Sequence, residues 1–141
     1  MSKDKSWLGG VFLAVAFAML PAAGQSVPST NLTLIDTGCT GGFTGGGDGA
    51  TITADDRLVR WSKITAAEPR VEIDLGPVQE LAADLRDELD TIGFEDIDYE
   101  MPGNIACFVS YLGHTVVWSP GDLAVATDVA EIHQRLMAAV R

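Results

Sequence analysis

Apolar and polar residues alternate over Asn31–Asp36, with Leu32 and Leu34 on one face and Thr33 and Ile35 on the other, which predicts a first strand. Thr37–Gly49 is dominated by glycine and reads as a loop. A second strand begins at Ala50–Thr53, Asp55-Asp56 turns the chain, and Leu58–Ser62 returns as a third. Val71–Leu75 alternates again and reads as a fourth strand or an extended lead into a helix. The periodicity then changes. From Pro77, apolar residues fall at Val78, Leu81, Ala82, Leu85, Leu89 and Ile92, the spacing of one helical face. Pro77 suits a helix start and Gly93 a C-terminal cap. Ile105–Leu112 and Thr115–Trp118 predict a hairpin turning at Gly113-His114. Thr127 is expected to cap a last helix whose buried stripe is Val129, Ile132, Leu136, Met137 and Val140.

Strands, helix, strand pair, helix is the order of an α+β domain. It fits a mostly antiparallel sheet of five to six strands with both helices on one face. There is no βαβ alternation and no internal repeat. The sequence before Gln25 has another character. Lys3 and Lys5 form a positive start, Trp7–Leu20 is uncharged and largely apolar, and Pro21 precedes the small residues Ala22-Ala23-Gly24. These are the three parts of a cleavable signal peptide, and the apolar run is shorter than the ~20 residues a membrane span needs. Residues 1–24 are therefore expected to be removed on export, leaving residues 25–141 as a single domain with a flexible tail at 25–30. The expected location is secreted or periplasmic.

Export shapes the reading of charge and cysteine. The whole chain has a formal net charge of −11, and losing Lys3, Lys5 and Asp4 leaves −12. Such a surface repels nucleic acid and anionic lipid, so neither is expected as a partner once the signal is gone; a protein partner is. Cys39 and Cys107 are the two cysteines of the chain, and in an oxidising compartment they are expected to form a disulfide. Neither has a Cys or His neighbour at zinc-ligand spacing, so no metal or other cofactor is expected.

Few motifs carry chemistry. The glycine run lacks the Gly-Lys-Ser/Thr ending of a phosphate-binding loop, and no helix follows it. Leu34-Ile35-Asp36-Thr37-Gly38 matches the aspartic-protease motif, in which two facing carboxylates share a proton. A homodimeric retroviral-type protease built around Asp36 is thus one alternative, although no convincing flap follows and Tyr111-Leu112-Gly113 leads into a strand where that class has a helix. The plainer reading is a strand end turning at Asp-Thr-Gly. His114 and His133 stand alone, without triad or zinc spacing, and no catalytic residue is assigned. The acidic residues between Asp84 and Glu100 include Glu95-Asp96-Ile97-Asp98-Tyr99-Glu100, which lacks calcium-loop spacing and reads as solvated surface.

The distinctive feature is Gly41-Gly42-Phe43-Thr44, one aromatic on an otherwise bare segment. Phe43 is either an exposed anchor for a partner's pocket or a plug folded into the core. At Gly41-Gly42-Phe43, with Arg60-Trp61, the amphipathic helix and the strand His114–Trp118, the chain resembles the emfourin family of small inhibitors of thermolysin-type metalloproteases. The resemblance covers roughly Leu32 to Val140 and implies an α+β fold that binds an extracellular metalloprotease through Gly41, Gly42, Phe43 and Thr44. Export, the two cysteines and the long glycine run depart from the family pattern. They leave open an accessory domain without inhibitory activity.

Overall fold

The computed structural model describes residues 32–122 and 124–141; the expected signal peptide and tail lie outside them. Six strands form one sheet in the order β4-β3-β2-β1-β5-β6. They are β1 (Thr33–Gly41), β2 (Gly45–Thr53), β3 (Arg57–Thr65), β4 (Val71–Pro77), β5 (Ile105–Tyr111) and β6 (His114–Trp118). All neighbouring pairs are antiparallel. β1 lies inside the sheet: β2 to β4 meander away from one of its edges, and β5 and β6 add to the other. The helices are α1 (Gln79–Thr91) and α2 (Thr127–Ala139), with a short 3₁₀ turn at Phe94–Asp96. Among the described residues no helix is long and apolar enough to cross a membrane.

The α+β architecture agrees with the sequence pattern. Alternation places Ile35, Ile52, Leu58, Val109, Tyr111, Val116 and Trp118 on one sheet face. They form one buried cluster with Ala82, Leu85 and Leu89 of α1 and with Val129, Ile132 and Leu136 of α2. Val140 joins the cluster, while Met137 is only half-buried. Gly93 takes the left-handed conformation after α1, with φ 65°, which only glycine adopts freely.

Three expectations need correction. Thr37–Gly49 is not a loop, and β1 does not end at Asp36-Thr37-Gly38. The strand runs on to Gly41, and the glycines from Gly45 onward enter β2. Low strand propensity is overridden because β2 is hydrogen-bonded on both sides, to β1 and to β3. The β5–β6 turn is Leu112-Gly113, one residue earlier than expected, with φ of 49° and 84°. Two central residues at positive φ match the twist of a two-residue hairpin. Thr127 is not the cap: Ala126 holds that position without a side-chain hydrogen bond, and Thr127 opens the helix itself.

The acidic connection after α1 has a structural use. Val117 N–H donates to Tyr99 O at 3.1 Å and Met101 N–H to Val117 O at 3.0 Å, so this segment covers the outer edge of β6.

Candidate functional site

The four residues singled out in the sequence form the tip of the β1–β2 hairpin. Gly41 ends β1, Gly42-Phe43-Thr44 is the turn, and Gly45 begins β2. Gly41 and Gly42 have φ of 131° and 70°, so the turn depends on residues without a Cβ. The tip is braced from both sides. Gly42 N–H donates to Asn104 O at 2.8 Å before β5, and Ala66 N–H donates to Thr44 O at 3.0 Å after β3. Thr44 Oγ1 accepts from Gly46 N–H at 3.3 Å. Phe43 projects from this braced turn with 107% relative exposure. Of the two readings of Phe43, the core plug is ruled out. Ile105 opposes Gly41 across the β1–β5 ladder, and Ile64 adjoins Thr65, which opposes Gly45; both are exposed. The hairpin tip is therefore flanked by two further apolar side chains.

Asp36 stands mid-strand on the sheet face opposite the helices, and its carboxylate is fully engaged. Oδ1 accepts from Thr51 Oγ1 at 2.9 Å and from Trp61 Nε1 at 3.0 Å, and Oδ2 accepts from Arg70 Nη1 at 2.8 Å. The Arg70 guanidinium also lies 3.8 Å from the centroid of the Trp61 ring, and Trp61 stacks on Phe108 at 6.2 Å. Sequence reading missed this assembly. Arg70 is 34 residues from Asp36 and Trp61 is 25, with no pattern to connect them. A strand interior with three donors on the carboxylate differs from the turn-borne, proton-sharing pair expected of a protease. Asp36 holds Trp61 and Arg70 in place.

Cys39 and Cys107 face each other across β1 and β5 and are joined by a disulfide, as expected. The structure adds a neighbour that sequence spacing concealed. His133 of α2 brings Nε2 to 3.6 Å from Cys39 Sγ, while its Nδ1 lies 2.8 Å from Thr37 Oγ1. His133 is half-buried against the sheet, and burial lowers its pKa below the usual histidine value, an effect partly opposed by Asp48. His114 is unconnected to it and bonds to Ile97 O through Nε2 at 2.8 Å. Both tyrosines carry raised pKa values. Tyr99 does so because its hydroxyl donates to Asp122, and Tyr111 through burial and then a 2.9 Å hydrogen bond to Asp90.

Comparison of the chain with protein-family models, with curated proteins and with solved structures returned no match.

Proposed function

We propose that this is an exported binding protein that inserts the Phe43 hairpin tip into an apolar pocket of a protein partner. One observation carries the reading: a large aromatic side chain, wholly exposed, sits on a turn whose backbone is tied to Asn104 before β5 and to Ala66 after β3. An aromatic anchor contributes most when it is fixed before binding, because less conformational freedom is then lost on association. Exposed Ile64 and Ile105 extend the apolar contact around it. The negative chain favours partners with a positive or neutral rim.

The partner class follows from the emfourin resemblance rather than from the geometry. It is a thermolysin-type metalloprotease outside the cell, inhibited by occupation of its cleft. The test is titration of thermolysin at neutral pH with the purified protein. Stoichiometric loss of peptidase activity, with the protein left undigested, supports the inhibitor reading. Full activity at a large excess removes it and leaves the hairpin tip as a binding anchor for another class of protein.

A further inference from the structure

The surroundings of His133 fix which ring nitrogen carries the proton. Thr37 Oγ1 has a single proton, and it is donated to Phe108 O at 2.7 Å. Towards His133 Nδ1, at 2.8 Å, the hydroxyl must therefore accept. Nδ1 is the protonated nitrogen, and the Nε2 lone pair is directed at Cys39 Sγ, 3.6 Å away. Trp118 meets the ring edge-on at 5.4 Å and holds its orientation. A histidine with one nitrogen anchored to a protein oxygen and the other turned to a cysteine sulfur has the arrangement of a metal ligand.

Distances agree with this. The sulfurs of Cys39 and Cys107 and a ring nitrogen of His133 all lie within 4.8 Å of one another. In a tetrahedral zinc centre, bonds of about 2.3 Å to sulfur and about 2.0–2.1 Å to nitrogen separate the two ligand atoms by about 3.6 Å. Cys39 and His133 already stand at that separation. β1, β5 and α2, which carry the three residues, belong to one packed core. The Cys39–His133 side opens to a cavity of about 440 Å³ that Gln134, Met137 and Arg141 also line, which gives an ion a way in and leaves room for a fourth ligand.

We propose that reduction of the disulfide turns Cys39, Cys107 and His133 into a zinc site, so that the bridge and the metal are alternative occupants of one place. A dithiol reductant supplies two electrons and two protons. The S–S bond breaks, two S–H bonds form, and the reductant becomes a disulfide. Zn²⁺ then binds both sulfurs as thiolates and the neutral His133 Nε2, releasing two protons to solvent. In the oxidised protein the sulfur electrons are held in the S–S bond and the site is closed. The site shares no residue with the Gly41–Thr44 hairpin tip.

The experiment uses the full protein reduced with a dithiol and desalted under nitrogen, with Co²⁺ as an optical probe displaced by Zn²⁺. Near-UV circular dichroism follows the fold. The expected result is one equivalent of metal with thiolate charge-transfer absorption for reduced protein, and none for oxidised protein. His133→Gln is expected to weaken Zn²⁺ binding at least tenfold. Thr37→Val keeps all three ligands but removes the anchor on Nδ1, and is expected to weaken it by about 10–100-fold. Equal affinity in wild type and His133→Gln would overturn the proposal, since two free thiols alone would then account for binding. So would a folded reduced protein that takes up no metal, or an unfolded one that a single equivalent of Zn²⁺ does not refold.

Discussion

Trp61 and the Thr37 carbonyl share the space that a side chain at Gly49 would need: a Cβ there would sit 2.3 Å from the indole and 2.1 Å from Thr37 O. Gly38 on the neighbouring strand stands in the same relation, 2.4 Å from the indole and 2.5 Å from Asp48 O. The ring lies flat over two bare backbone positions, fully buried on the sheet face opposite α1 and α2, with Arg70 above it. Part of the glycine run is thus explained by one tryptophan. Gly49→Ala is expected to destabilise the protein by about 1–3 kcal/mol through overpacking. In a double-mutant cycle with Trp61→Leu the cost should shrink in part, since the clash with the ring is relieved and the one with Thr37 O is not. Urea midpoints of the four proteins check this. Additive losses would show that the Thr37 carbonyl, and not the ring, excludes a side chain at Gly49.

Asp36 is expected to act through the same assembly. Asp36→Ala removes the acceptor for the buried Trp61 Nε1–H and the partner of Arg70, and should cost about 1–3 kcal/mol. The check is denaturant unfolding with tryptophan emission as the signal. A loss below about 0.5 kcal/mol, the size of an ordinary surface change, would mean that Asp36 does not hold the ring.

The disulfide closes a span of 68 residues between adjacent strands. Replacing both cysteines by serine is expected to lower stability by about 2–5 kcal/mol. Thermal unfolding of the variant beside wild type measures it.

The chain's two tyrosines should both titrate above the ordinary value of 10. The folded state retains their protons more strongly than the unfolded state does. Their contribution to stability is therefore complete below pH 10 and is lost as pH rises through the folded values. Asp122 shifts the other way, because the Tyr99 hydroxyl donates to it. Its contribution is present above the ordinary value of 3.8 and is lost as pH falls through the lower folded value. Absorbance at the phenolate band during alkaline titration, native and in urea, checks the tyrosines. Coincident native and unfolded curves would contradict the assignment.

Periodic segments were legible in the sequence, and positions set by distant neighbours were not. The α1 face could be read because Leu81, Ala82, Leu85 and Leu89 repeat at helical spacing, and β5 because burial alternates from Cys107 through Val109 to Tyr111. The strand β2 was hidden because glycine signals a loop locally. The two flanking ladders, joined at Gly49 by the Trp61 ring, make those glycines strand residues. Phe43 could be recognised as unusual, but its exposure is set by the braces from Asn104 and Ala66. The His133–Thr37–Cys39 cluster joins residues 94 and 96 positions apart, beyond the reach of any spacing rule.

The Phe43 anchor is tested most directly by measuring Phe43→Ala for both stability and inhibition of thermolysin. Because the side chain makes no core contact, unfolding free energy should stay within about 0.5 kcal/mol of wild type. Loss of an aromatic anchor should weaken inhibition by at least 2 kcal/mol, about thirtyfold. Unchanged inhibition at unchanged stability would contradict a binding role for the hairpin tip, and equal losses of both would mean that Phe43 acts through the fold and not as an anchor.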